Sequence, residues 1–220
     1  MTKEEFIKKM NEDSDYSPGW QAIDDAFEEI YPDQNPDHYA TELTARAEWG
    51  GEEYLDGFSV YTSPKGYKHL VTYGMTILYA DQEAFGGEWN GWGYEMTMKL
   101  KESDTQSCLW AIDMMSNLAR YTYKTERFFE DRQYVKGNGT SLHVGVDSQI
   151  TALLIVNDTE VKTQDTVYGK TEFLQLVGIT ESEFQAILED RDNIDKLIEL
   201  MKADGNEDLV TDMERTKSYL

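Results

Sequence analysis

Trp20, Ile23, Phe27 and Ile30 recur at helical spacing behind Ser17-Pro18, a pairing that predicts an N-cap, a first-turn proline and a helix running to about Ile30. Its other side carries Asp24, Asp25, Glu28 and Glu29, an expected exposed negative strip, and Pro32 and Pro36 end it. Thr2 with Glu5 has the form of a capping box and predicts a shorter helix before it. From Tyr39 to Trp49 the pattern loosens toward alternation, and Gly50-Gly51 predicts a turn before a strand over Leu55 to Tyr61. Tyr67 to Tyr79 and Tyr94 to Leu100 are rich in β-branched and aromatic residues and predict central strands, with a glycine-rich loop, Gly86 to Gly93, between them.

Ser103 or Asp104 is placed to cap a long helix to about Tyr123, with Leu109, Ile112, Met115 and Leu118 on its expected buried side. Strand patterns return at Leu142 to Val146, Ile150 to Val156 and Lys170 to Gly178. Thr180 with Glu183 forms a second capping box before a helix through Phe184, Ile187 and Leu188. A further helix carries Ile194, Leu197, Ile198 and Met201, and Leu209 to Asp212 reads as a last short strand. Strands, one long helix, more strands and then helices predict an α+β fold with a central mixed or antiparallel sheet flanked by helices. One domain over 1–220, with its core at about 18–215, is the expected division.

Charge changes the picture of partners. The 220 residues hold 20 Lys plus Arg against 43 Asp plus Glu, a net charge of -23 that disfavours direct contact with nucleic acid or an anionic membrane. Residues 1–60 carry 4 basic and 16 acidic side chains and 180–220 carry 5 and 12, so the two ends hold most of the excess. The charged N-terminus lacks the apolar run of a secretory signal and no window reaches the roughly 20 apolar residues of a membrane span, so a cytoplasmic protein is expected. One cysteine, Cys108, excludes an internal disulfide and any multi-cysteine metal site.

Candidate chemistry is thin. Cys108 has Asp104 before it and Asp113 after it, neighbours that raise a thiol's pKa, and it reads as a small core residue. His38, His69 and His143 show no metal-ligand spacing, and no nucleophile elbow occurs, so neither a metal, a cofactor nor a catalytic group is expected. Gly169-Lys170-Thr171 resembles the end of a phosphate-binding loop, but Gln164 stands where the first glycine is required, and a strand-edge turn is the better reading. Trp89 and Trp92, in the glycine-rich loop, either present two indoles to a partner or cover the sheet edge.

Six collinear segments together resemble the Suppressor of fused family. They are Ile30-Tyr31-Pro32-Asp33-Gln34; Leu55-Asp56 with Val60-Tyr61; Tyr73-Gly74 with Leu78-Tyr79 and then Gly91 to Leu100; Leu118-Ala119-Arg120-Tyr121; Gly169 to Ile179; and Leu209 to Met213. The resemblance implies an α+β fold and a protein that binds other proteins. Animal members restrain Gli-type transcription factors by clamping a short peptide as an added strand between this domain and a C-terminal second one, which would begin where this chain stops. The resemblance places Tyr121 beside that peptide site. A carboxylate that helps hold the peptide there corresponds to Gln133 here, with Asp131 nearby.

Short, single-domain, bacterial-type members are thought to act as immunity proteins that neutralise partner toxins. The resemblance, with the acidity, leads to an expected monomeric antitoxin without chemistry of its own, which occludes a basic, nuclease-type toxin. Asp24, Asp25, Glu28, Glu29, Glu52 and Glu53 are its expected steering residues, and Trp89, Trp92 and Tyr121 its expected anchors. A regulatory scaffold that captures a peptide by strand addition is the alternative.

Overall fold

A computed structural model describes residues 1–41 and 55–220. Helices α1 (Lys3–Glu12) and α2 (Pro18–Glu28) precede strands β1 (Asp37–Ala40), β2 (Gly57–Thr62), β3 (Lys68–Tyr73) and β4 (Trp89–Leu100). A 3-10 turn, Gln106–Cys108, leads into α3 (Leu109–Thr125). Then come β5 (Gln133–Val135), β6 (Ile150–Asn157), β7 (Gln164–Thr166), β8 (Gly169–Thr180), α4 (Glu181–Glu189) and α5 (Asn193–Ala203). The strands form one sheet in the order β1-β2-β3-β4-β8-β6-β5, with β7 added to the free part of β8. Among the described strands only β4 and β8 pair in parallel, joined by the long crossover through α3, β5, β6 and β7 that a parallel pair requires. The sheet is therefore mixed and the fold α+β, as the element order predicts.

Strand alternation sorts the side chains onto two faces. Tyr94, Met96, Met98 and Leu100 of β4 join Leu174 and Leu176 of β8 beneath α3. Ile23 and Phe27 of α2 pack on Tyr73 and Phe173 on the opposite face, and α4 and α5 pack there on Val177 and Ile179. On α3 the buried positions are Ala111, Met115, Ser116, Ala119 and Thr122, with Cys108 buried just before its start; of the expected positions Met115 is buried, while Leu109, Ile112 and Leu118 are only partly covered. Small side chains let the helix settle closely on the sheet, and the larger ones are left along the seams at its sides.

Between the two apolar clusters of the α2 face, Thr97, Lys99 and Gln175 point inward from β4 and β8 into a buried polar cluster. Asp158 is its centre. It accepts from Thr97 Oγ1 at 2.6 Å, Lys99 Nζ at 3.0 Å and the backbone N–H groups of Glu160 and Val161, with His69 Nε2 at 3.0 Å. Burial opposes its charge, but His69 and Lys99 hold the carboxyl far below the usual range. Lys99 Nζ also reaches Glu160 at 3.2 Å, and Tyr67 Oη donates to that carboxylate. The cluster ties β3 and β4 to the segment after β6.

Both predicted capping boxes are present, at Thr2 and Thr180. Neither Ser103 nor Asp104 caps α3, whose N-cap is Cys108 with no side-chain cap; Asp104 instead accepts from Ser107 N at 3.0 Å in the turn before it. Four boundaries differ from expectation. The strand expected to reach Tyr79 stops at Tyr73, because the N–H groups of Gly74, Met75 and Thr76 turn to the Glu95 carboxylate instead of a neighbouring strand. The glycine-rich loop is half strand, since β4 already begins at Trp89 with an irregularity before Tyr94. Leu142 to Val146 is a turn with Val144 89% exposed, its alternation having no partner strand. Leu209 to Asp212 contributes one bridge, Thr211 to Leu100. Of the expected strand pattern over Tyr39–Trp49, Tyr39 and Ala40 fall in β1 (Asp37–Ala40); residues 42–49, the Gly50-Gly51 turn, Glu52 and Glu53 lie outside the described residues.

Candidate functional site: an aromatic cleft beside an edge strand

Where β3 ends, the first half of β4 runs on past it. Gly91 (φ 57°) and Gly93 (φ 88°) adopt left-handed backbone conformations there, which glycine enters without steric cost. A Cβ on Gly91 would lie 2.9 Å from the Met75 carbonyl oxygen, and one on Gly93 would lie 3.1 Å from the Trp89 ring. The two glycines thus let the strand lie against the Gly74–Ile77 segment and let the Trp89 indole fold back over its own strand. Trp92 N donates to the Met75 carbonyl at 3.0 Å, and the Trp92 ring meets Tyr123 of α3 edge-on at 5.9 Å.

The end of α3 completes the site. Glu126 caps it in a left-handed conformation (φ 56°), which turns the chain so that Phe128 and Phe129 come back toward β4. Tyr94 Oη sits 3.1 Å from Thr122 Oγ1 and accepts from Phe129 N at 3.5 Å. Together, Trp89, Gly91, Trp92, Gly93, Tyr94, Phe128 and Phe129 line a cleft of about 320 Å³, with carboxylates from Glu130 and Glu172. Trp89 and Phe128 are 46% and 54% exposed, and Tyr121, 41% exposed, stacks on Phe129 at 5.9 Å. Clustered exposed aromatics of this kind mark interaction surfaces.

The cleft leads into β5, the outermost strand on its side of the sheet. Asp131 accepts from Asn157 N at 2.9 Å and Arg132 Nη1 at 2.8 Å, so its carboxylate is engaged inside the chain. Arg132 has φ 65° and sends Nε to Asp195 of α5 at 2.6 Å. Gln133, the first residue of β5, donates its amide to Glu130 at 3.1 Å. Glu130 and Glu172 line the cleft and Asp131 does not, although Glu130 shares its carboxylate with Gln133.

Of the residues singled out from sequence, Trp89, Trp92 and Tyr121 come together at this cleft. The acidic strip lies on α2, across the sheet from it. Asp24, expected to be exposed, is half-buried: Tyr73 Oη donates to it at 2.8 Å, and burial raises its pKa. Asp25, Glu28 and Glu29 remain exposed, Asp25 accepting from Gln21 and Glu28 from the Asp33 backbone. Phe128, Phe129 and Glu95 were not singled out, because only the turn at Glu126 and the end of β3 give them a role.

Other chemistry is occupied elsewhere. Cys108 is buried, which pushes its thiol up to about 12, as a core residue requires. His38 lies 3.0 Å from Ser59 Oγ, His69 is sealed in the Asp158 cluster, and His143 stacks flat on Trp110 at 5.0 Å. No group of three or more potential metal ligands occurs among the described residues. Gly169-Lys170-Thr171 opens β8 and pairs with Thr166, Asp165 and Gln164 of β7, directly after the Val167-Tyr168 turn of that hairpin. No helix among the described residues is long and apolar enough to cross a membrane.

The folded chain is similar to known proteins across nearly its whole length. The human Suppressor of fused homolog is 30% identical over 217 residues, an alignment covering 90% of this chain and 43% of the human protein. The mouse homolog matches to the same extent, so the chain spans less than half the length of these curated relatives. The crystal structure of the Sufu–Fu complex superposes with a TM-score of 0.78 at 25% identity, covering 92% of this chain and 93% of that one. Drosophila Suppressor of Fused gives 0.77 at 25%, covering 92% and 51%. A putative homolog from Neisseria gonorrhoeae FA 1090 shares the fold, with a TM-score of 0.60 at 16% identity over 90% and 96% of the two chains. The sequence model of the Suppressor of fused protein family matches residues 51–216, and with these relatives it establishes that the chain belongs to the Suppressor of fused family.

Proposed function

We propose that the protein is a non-enzymatic binding module that captures an extended segment of a partner protein at the aromatic cleft and along β5. The cleft carries this reading: it gathers exposed Trp89, Phe128 and Tyr121 beside the outermost strand of the sheet. An extended segment adds to a sheet edge through its backbone and places alternate side chains into an adjoining pocket. The aromatic lining suits a large apolar anchor, and Glu130 and Glu172 suit a basic residue next to it. One similar structure is of a complex, Sufu with Fu, which agrees with a life spent binding proteins.

A second reading keeps the partner folded and basic. The net charge of -23, with Asp25, Glu28 and Glu29 exposed on α2, favours an immunity protein that docks its acidic face on a toxin's cationic groove. The two readings use opposite faces of the sheet, so one experiment separates them. A partner recovered with the tagged full chain is re-measured against Trp89→Ala/Phe128→Ala and against Asp25→Lys/Glu28→Lys/Glu29→Lys. Loss on the first variant supports segment capture, and loss confined to the second supports the antitoxin.

A further inference from the structure

Glu95 lies fully buried on β4, on the α2 face of the sheet, and five donors converge on its carboxylate. Oε1 accepts from Gly74 N at 3.0 Å, Thr76 N at 2.9 Å and Thr76 Oγ1 at 2.6 Å; Oε2 accepts from Thr72 Oγ1 at 2.6 Å and Met75 N at 3.3 Å. The segment gathered in this way is the wall on which the cleft is built. Its Met75 carbonyl holds Trp92 N, its Gly74 carbonyl accepts from Tyr123 Oη, and Asn90 on β4 accepts from its Ile77 N at 2.9 Å.

We propose that Glu95 is a positioning residue for the cleft and makes it pH-responsive: the ionised carboxylate pins Gly74–Thr76 and so Trp92, and protonation releases them. This rests on the cleft being the binding site. The chemistry is one of counting donors. A carboxylate is an acceptor only, which matches three N–H groups and two hydroxyls. A neutral carboxyl adds a sixth donor to a shell that already donates. Thr72 Oγ1 is further committed, since it accepts from Met96 N at 2.9 Å.

The groups that face Glu95 from neighbouring elements leave it to titrate largely alone. On its own strand, Tyr94 points to the other face and is held up to about 12 by burial. On β3, burial holds Tyr73 far above neutrality, with its hydroxyl on Asp24 of α2. On β8 its register partner is the uncharged Phe173, and Glu172 lies with Tyr94 on the cleft side. Burial pushes the Glu95 carboxyl up to about 7 against the pull of its hydrogen bonds, which brings the change into the neutral range.

The test is an amide NMR titration of the free full chain from pH 5 to 9, in wild type and Glu95→Gln. The expected result is that the Gly74, Met75 and Thr76 amide signals shift with one midpoint near 7, that the Trp92 amide follows the same curve, and that Glu95→Gln removes the step. Amides that stay flat across the range overturn the proposal, as does a Gly74–Thr76 titration that Trp92 does not follow. The wild-type curves decide even where Glu95→Gln fails to fold. No partner is present, so failure here leaves segment capture standing, and failure of segment capture leaves the titration to be read on its own.

Discussion

On the face covered by α2, α4 and α5, polar side chains are sealed in: His69 of β3, Lys99 of β4 and Asp158, just after β6, have no exposed side-chain surface and are joined through the Asp158 carboxylate. At the end of the opposite face, beyond the reach of α3, aromatic rings that would ordinarily be buried stand open around a cleft. One face thus locks polar groups into the architecture, and the other leaves apolar groups free to be covered. The difference separates what holds the fold from what is available to a partner, and it is open to test from both sides.

The largest effect is expected in the sealed cluster. Asp158→Ala leaves buried Lys99 with only the Glu160 carboxylate and His69 Nε2 without its carboxylate, and breaking a buried pair from one side costs roughly 3–5 kcal/mol, read as a lowered midpoint in urea unfolding. Trp89→Ala/Phe128→Ala should do the reverse. Because both side chains are about half exposed, unfolding stability should change much less than for Asp158→Ala, while partner affinity falls by about 2 kcal/mol or more.

Two carboxylates sharpen the contrast through the sign of their pH dependence. Asp158 is depressed in the folded state, so its contribution is present above the unfolded value of 3.8 and is lost as pH falls below it. Glu95 is raised from 4.5 to about 7, so the folded chain binds the extra proton between those values, and stability from this group falls as pH rises through them. Urea midpoints measured from pH 3 to 8 should therefore lose the acid-side decline in Asp158→Asn and the rise between pH 7 and 4.5 in Glu95→Gln. The smallest effect belongs to α2: Asp25→Lys/Glu28→Lys/Glu29→Lys should shift stability by no more than about 0.5 kcal/mol per site, these being surface positions.

Much of this was legible in the chain because the signals were local. Thr2 with Glu5 and Thr180 with Glu183 close their caps within four residues, and the β-branched runs of β6 and β8 announce buried strands. What escaped depended on distant contacts. Apart from Met115, which was expected, the buried stripe of α3 is built of Ala, Ser and Thr, which look less apolar than Leu109 or Leu118 beside it. Gly86 to Gly93 read as a loop because glycine signals a turn, and only the parallel partner β8 and the wall at Met75 make half of it a strand. Trp89, Trp92 and Tyr121 were visible singly as anchors. That they meet follows from the left-handed turn at Glu126, which brings Phe128 and Phe129 between them. Asp24 was misplaced for a similar reason, since its burial is made by Tyr73, 49 positions away.

The most direct measurement is the affinity of a captured partner for wild type, Trp89→Ala/Phe128→Ala and Asp25→Lys/Glu28→Lys/Glu29→Lys, by calorimetry at fixed salt. Segment capture at the cleft predicts that the aromatic variant loses about 30-fold or more, the equivalent of about 2 kcal/mol, while the charge-reversed variant stays close to wild type. A partner that ignores the loss of both rings and is released by reversing the α2 charges would contradict it, and would move the binding surface to the other side of the sheet.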